Sequence, residues 1–280
     1  MKKRRNYSGP NMAGFDTEER FEGDRQFVSA LYRGLRLLRC FRPSDSGGLG
    51  NLELAQRSAL PNSTVSRLTY TLSKLGYLIY DESNGRYRMG VPVLSLGYAC
   101  LGGMKIRETA QVYMQEMASK SGGGVLVALG ARDGLSMTYV ACARSEGLVS
   151  LQLAVGSRIS LARSAIGRAY LAGAGEEERG YLMERIRERV GPERWPQMEE
   201  EILDALEQVR SKGFYTNLGQ WQPDVHAVAV PYRAPQGDTP LLAFNCGGPA
   251  YLLPKERLED DLGPRLVELV NTVSRADTGF

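Results

Sequence analysis

The chain has 280 residues, 42% of them hydrophobic and 24% charged, with a formal net charge of +3 at pH 7. That is the composition of a soluble globular protein of about two domains, and no apolar run is long enough to span a bilayer. Four scattered cysteines (Cys40, Cys100, Cys142 and Cys246) and a single histidine, His226, exclude a structural zinc site, and neither a metal nor a cofactor is implied.

The charge is unevenly spread. Residues 1–108 hold 17 Lys and Arg against 10 Asp and Glu, and the remainder 18 against 22, so a front end of +7 adjoins a body of −4. A basic front end is expected to meet a polyanion. Residues 1–25 are polar and mixed in charge and read as a disordered tail. Within it Lys2-Lys3-Arg4-Arg5 either touches a nucleic-acid backbone or is simply solvated. No hydrophobic signal core follows this run, and single cysteines suit a reducing compartment, so a cytoplasmic location with no membrane partner is expected.

The first predicted helix covers residues 26–41, with Phe27, Leu31, Leu35, Leu38 and Phe41 as its buried stripe and Arg33, Arg36 and Arg39 outside it. Pro43 and the polar run that follows break it. A short helix over 52–58 is expected next, capped by Asn51, then a turn at Ala59-Leu60-Pro61. Residues 62–75 form the most informative helix. Val65, Leu68, Leu72 and Leu75 make its apolar stripe, while Asn62, Ser63, Ser66, Arg67, Thr69, Tyr70 and Lys74 make a face with donors and positive charge but no carboxylate. Such a face suits an electronegative groove, as the reading helix of a helix-turn-helix requires. Gly76 is a natural residue to end it. Two β-prone runs, 77–80 and 86–89, flank Asn84-Gly85, a strong hairpin signal. Helix, helix, reading helix and hairpin make a winged helix-turn-helix whose wing carries Arg86 and Arg88, each either a DNA contact or a solvated cation.

Residues 91–120 read as a linking helix broken at Gly102-Gly103. Its seam of Val91, Leu94, Tyr98 and Leu101 calls for a partner, either a second copy or the chain's own second domain. Strands are expected at 125–129 and 137–143, joined at Asp133-Gly134, and at 225–232 and 241–246, joined near residues 236–238. Helices are expected at 164–172, 176–189, 199–212 and 258–274. Strands flanked by helices indicate an α/β or α+β sensor-like domain.

These motifs resemble the IclR family of bacterial transcription regulators over nearly the full length after residue 26. The likeness is carried by Leu60-Pro61-Asn62-Ser63-Thr64 through Arg67-Leu68, by Leu75-Gly76-Tyr77, by Tyr87-Arg88-Met89-Gly90 and by residues 164–172, Ser-Ala-Ile-Gly-Arg-Ala-Tyr-Leu-Ala. Val228-Ala229-Val230-Pro231 with Gly248-Pro249 adds a weaker match. The resemblance implies an α+β protein with an N-terminal winged helix-turn-helix (26–90), a linker and dimerisation helix (91–108) and a GAF-like α/β effector-binding domain (109–280). It implies homodimers, or dimers of dimers, that bind double-stranded operator DNA and respond to a small metabolite.

For DNA the candidate residues are Arg33, Asn62, Ser63, Thr64, Ser66, Arg67, Tyr70, Lys74, Arg86 and Arg88. Asn62, Ser63 and Thr64 can donate to phosphates from a helix N-terminus. Ser66, Arg67 and Tyr70, a turn further on, are the base-reading candidates, with Arg67 either forking onto guanine or pairing a phosphate.

For the effector, the resemblance places one pocket wall at the helix starting near Ser164, whose free N–H groups favour a carboxylate. Matching positions are Ala165 and Ile166, Asn217 in a loop, Ala227 in a strand, then Asn245 and Gly247. Tyr139, Trp221 and His226 are added as aromatic or donor surface, with Trp221 either a lid or a packing residue and His226 either a ligand contact or a strand residue satisfied by a carbonyl. Ala165, Ala227 and Gly247 depart from the more polar family pattern, so the expected effector is a larger, partly apolar organic acid, such as an aromatic carboxylate from a degradation pathway.

Two rival readings are weaker. An enzyme would need a constellation that Cys246 or Ser164 with His226 and Asp224 does not supply, because Asp224 and His226 are two apart and no nucleophile elbow or P-loop is present. An architectural DNA binder without ligand would not need the acidic second domain.

Overall fold

The computed structural model describes residues 21, 23–147, 151–234 and 240–277. Most of the tail and the junction near 236–238 therefore lie outside the described residues. The chain divides into two compact units, 1–103 and 104–280, a division that falls inside the segment read above as a linker.

The first unit carries α1 (Ser29–Leu38), α2 (Asn51–Ser58), α3 (Asn62–Lys74), the hairpin β1 (Leu78–Asp81) and β2 (Arg86–Met89), and α4 (Val91–Gly102). Leu37, Cys40, Leu49, Leu54, Leu60, Val65 and Leu78 form its core. An isolated bridge between Leu49 and Tyr87 ties the wing back to the strand-like segment before α2. Ala59 ends α2 in the left-handed region, at φ 52° and ψ 33°, and is the one non-glycine residue with positive φ among those described.

Several expectations are corrected here. The first helix is shorter than 26–41 and turned about its axis. Tyr32 and Leu37 are buried, whereas Leu31 and Leu35 are 61% and 45% exposed. Of the expected stripe Leu38 and Phe41 do pack against the core, but the helix has apolar side chains on two faces, and Tyr32 and Leu37 take the buried positions expected of Leu31 and Leu35. Gly50, not Asn51, is the N-cap of α2, with its N–H held by Glu53 Oε2 at 3.0 Å. On α3, Thr69 is fully buried rather than on the polar face, because its hydroxyl satisfies itself on the Val65 carbonyl at 3.0 Å. Leu75 is exposed, beyond the point where the helix leaves the core.

The segment 91–120 is broken at Gly102-Gly103, as its glycines suggest, into two helices that belong to different units. α4 stays with the first unit and buries none of its residues. α5 (Ile106–Ser119) belongs to the second unit, burying Ile106, Ala110, Met114, Met117 and Ala118.

The second unit is built on a six-stranded antiparallel sheet in the order β5-β4-β3-β8-β7-β6. Its strands are β3 (Leu126–Asp133), β4 (Ser136–Arg144), β5 (Arg158–Ser160), β6 (Tyr215–Leu218), β7 (Val225–Tyr232) and β8 (Leu242–Pro249). β5 and β6 were not anticipated, and Asn217 is a strand residue of β6, not a loop residue. α6 (Ala165–Gly173) packs on the sheet, with α7 (Glu176–Val190) and α8 (Trp195–Lys212) joined to it, while α5 and α10 (Gly263–Asp277) contact β3, β4, β7 and β8. A three-residue turn of helix, α9 (Lys255–Arg257), and a π turn (Leu258–Leu262) lead into α10.

Arg168, 1% exposed on α6, is paired rather than stranded. Its guanidinium donates to Tyr215 Oη at 2.6 Å, to the Ala162 carbonyl at 2.8 Å and to Glu201. A buried cation survives only with such compensation. Among the described residues no helix is long and apolar enough to cross a membrane.

Candidate DNA-reading face and ligand cavity

α3 starts after Pro61 with no side-chain cap, and the first backbone bond of the helix is Val65 N–H to the Pro61 carbonyl at 3.0 Å. The amides of Asn62, Ser63 and Thr64 precede it, and free amides at a helix start suit phosphate oxygens. Asn62, Ser63, Ser66, Arg67, Tyr70 and Lys74 are exposed and Thr64 is half-buried. Arg67 has no ion-pair partner among the described residues, so its fork is available. Lys74 Nζ lies 5.5 Å from the Tyr70 ring centre, which braces the aromatic side chain on this face.

Ser66 is already engaged. Its hydroxyl donates to the Asn62 carbonyl at 3.0 Å and accepts from Asn51 Nδ2 at 3.0 Å, leaving one lone pair to offer. Asn51, read from sequence as a cap, is instead a brace between α2 and α3.

The two wing arginines differ. Arg86 turns inward, donating to the Gly48 carbonyl at 2.6 Å and pairing with Glu53 at 3.1 Å. Arg88 is 52% exposed at its side chain and lies 3.4 Å from Asp81. The Asp81 carboxylate also accepts from the Ser83 N–H and hydroxyl and from Asn84 Nδ2, which closes the wing tip and holds the carboxyl below its usual range, the Ser83 bonds contributing most. Arg33 lies half-buried on α1.

In the second unit, a cavity opens beside the start of α6. Tyr139, Ser164, Ala165, Ile166, Asn217, Trp221, Ala227, Asn245 and Gly247 all line it. His226 does not. It is on the opposite face of β7 from its neighbours Val225 and Ala227, and its Nδ1 lies 2.9 Å from the Leu253 carbonyl. Leu151, Leu153, Ile159 and Val225 complete the walls. Val225 could have been found by strand alternation from Ala227, whereas Leu151 and Leu153 lie in a segment without secondary structure and gave no periodic signal.

No charged side chain lines the cavity. Its anion-seeking feature is the start of α6. Ser164 caps that helix, accepting from Gly167 N–H at 3.2 Å and donating to the Ser160 carbonyl at 2.5 Å. The amides of Ala165 and Ile166 have no partner among the described residues. Asn217 Nδ2 is spent on the Arg163 carbonyl at 2.9 Å. The small residues at 227 and 247 complement each other. They pair across β7 and β8, and a Cβ on Gly247 would come within 2.7 Å of the Ala227 methyl. A Cβ at position 247 would also meet the His226 carbonyl at 3.0 Å, so the backbone as well as the Ala227 methyl keeps this position small. Among the described residues no group of three or more His, Cys, Asp or Glu side chains could hold a metal ion.

Comparison with known proteins places both units. A domain profile described as "IclR helix-turn-helix domain" matches residues 30–82, and one described as "Bacterial transcriptional regulator IclR C-terminal" matches residues 98–275. The chain is 30% identical over 254 residues to the HTH-type transcriptional regulator TsaQ1/TsaQ2 of Comamonas testosteroni, covering 90% of this chain and 89% of that one. Among solved structures, an IclR family transcriptional regulator from Brucella abortus superposes with a TM-score of 0.82 at 45% identity, covering 94% and 96% of the two chains. An IclR homologue from Microbacterium hydrocarbonoxydans, complexed with 4-hydroxybenzoate, shares the fold at 21% identity and a TM-score of 0.67, covering 88% of this chain and 99% of that one.

Proposed function

The chain belongs to the IclR family of bacterial transcriptional regulators, and from that premise we propose that it controls a catabolic operon and is switched by an organic acid with an apolar, aromatic body. DNA-binding regulation is the activity of the family, and its members are regulators rather than enzymes. The finer assignment rests on one observation: an apolar cavity with no charged lining, into which a capped helix presents two unpaired amides. That chemistry favours a carboxylate at one end of the ligand and hydrocarbon over the rest. The 4-hydroxybenzoate held by the Microbacterium relative is of this class, though likeness at that identity concerns the fold alone.

On the DNA side, Arg67 is the base reader, Ser66 and Tyr70 flank it, and the amides of Asn62, Ser63 and Thr64 with Lys74 and Arg88 hold phosphates. The protein works in the cytoplasm as a homodimer. α4 supports this state, since Val91, Leu94 and Tyr98 are 73%, 64% and 72% exposed, an apolar strip that a second copy covers.

The test is to sequence genomic DNA retained by the full-length protein, then measure binding to the recovered operator with and without benzoate. Arg67→Ala is expected to cost about 1–3 kcal/mol of specific affinity. An operator affinity unchanged by Arg67→Ala refutes the base-reading role, and an affinity indifferent to every aromatic acid refutes the effector.

A further inference from the structure

The floor of the cavity holds a polar pair that the acid reading does not use. Tyr139 and Asn245 are 2% and 5% exposed, and both line the cavity. Asn245 Nδ2 donates to Tyr139 Oη at 3.2 Å. Asn245 Oδ1 is buried and accepts nothing. The Tyr139 phenol accepts that one bond, and its own proton has no acceptor among the described residues. Buried polar groups are nearly always satisfied, and an orphan in a ligand cavity calls for a group from the ligand.

What remains is one acceptor, Asn245 Oδ1, and two donors, the Tyr139 phenol proton and the second Asn245 Nδ2 hydrogen. A carboxylate can only accept, so it would leave Asn245 Oδ1 stranded. An alkyl or aryl edge would leave all three unused. A hydroxyl serves both kinds of group, donating to the amide oxygen while accepting from the phenol. We propose that the effector carries, besides its carboxylate at the α6 start, a hydroxyl recognised by the Tyr139–Asn245 pair. Burial holds the Tyr139 phenol above its ordinary range, so it stays protonated and able to donate across the physiological range. This inference rests on the acid-effector reading of the same cavity and adds the ligand's second polar group to it.

The experiment uses the full-length protein and calorimetric titration with matched acids: benzoate, 3- and 4-hydroxybenzoate, 4-methoxybenzoate, and the pair phenylacetate and 4-hydroxyphenylacetate. At least one hydroxylated acid is expected to bind tenfold or more tighter than its parent, since a site built around a hydroxyl strongly rejects analogues lacking it. The methyl ether, which accepts but cannot donate, is expected to lose that gain. Tyr139→Phe and Asn245→Leu should each shrink the ratio of affinities between the hydroxylated acid and its parent. Equal affinity for parent, hydroxylated and methoxy acids overturns the hydroxyl site while leaving the acid site standing. Absence of binding by every acid overturns the acid reading and this inference with it. The ligand series needs no variant, so a misfolded Asn245→Leu protein does not decide the outcome.

Discussion

Replacing Ala59 by glycine is expected to stabilise the DNA-binding unit. Ala59 joins α2 to α3 at φ 52°, where its Cβ crowds the following carbonyl, a conformation that costs an L-residue about 1–2 kcal/mol. Glycine relieves that strain but enlarges the freedom of the unfolded chain, which returns about 0.4–1 kcal/mol. Ala59 is exposed, so the lost methyl carries little burial. The net gain is about 0.5–1 kcal/mol. Native-state hydrogen exchange on the α2 and α3 amides reads this directly as local opening, and protection should rise roughly two- to fivefold. Gly76→Ala is the mirror control. Gly76 has φ +75°, and an added Cβ would meet nothing closer than Pro92 Cγ at 3.8 Å, so strain alone should lower protection there. If Ala59→Gly leaves protection unchanged or lowers it while Gly76→Ala behaves as expected, the strain argument is wrong at this turn.

The other predictions concern charge. Arg88→Ala should reduce the slope of log affinity against log salt by about one, as the loss of a phosphate contact does. Arg86→Ala should leave that slope alone and instead loosen β2, because its partners are Gly48 and Glu53; an equal fall in slope for both variants would refute the distinction. The bidentate bond from Arg57 holds the Asp45 carboxyl below its usual range. A depressed folded pKa means the contribution is complete above the ordinary carboxylate pKa of about 4 and is lost as pH falls below it towards the folded value. Asp45→Asn should therefore weaken the first unit at pH 7 and flatten its acid sensitivity, as followed by circular dichroism from pH 7 to 2. Arg168→Met strands Tyr215, Ala162 and Glu201. Broken buried pairs cost about 3–5 kcal/mol, and since Glu201 keeps 28% of its side chain exposed, the lower end is expected. Urea unfolding followed by Trp195 and Trp221 fluorescence measures it, and a loss below about 1 kcal/mol would show that the pair is not the anchor of α6.

The helix-turn-helix was legible because its determinants are local. The Pro61 start, the acid-free face from Asn62 to Lys74, Gly76 and the Asn84-Gly85 turn all fall within 25 residues, and each acts through its own backbone conformation. Periodicity failed where two faces of one element were both apolar. On α1 the expected face of Leu31, Leu35 and Leu38 is apolar, but so are Tyr32 and Leu37 beside it, and only the packing partners decide which of them turn inward. It failed also for β5 and β6, three and four residues long, too short for alternation to register.

The cavity was legible in a different way. Ser164-Ala165-Ile166 announces a capped helix, and the sheet positions came from resemblance rather than from any pattern in the chain. His226 illustrates the difference: alternation along β7 puts Val225 and Ala227 on one face and His226 on the other, so a period-two argument opposes what its chemistry suggested. Tyr139 and Asn245 have no such local signature. They are 106 residues apart, on strands separated by β3, and their contact exists only through the register that sets Gly130 opposite Tyr139 and Ala128 opposite Asn245. The pair proposed to recognise a hydroxyl therefore takes its meaning from sheet register. A substitution at either one would leave every local sequence motif of the fold intact.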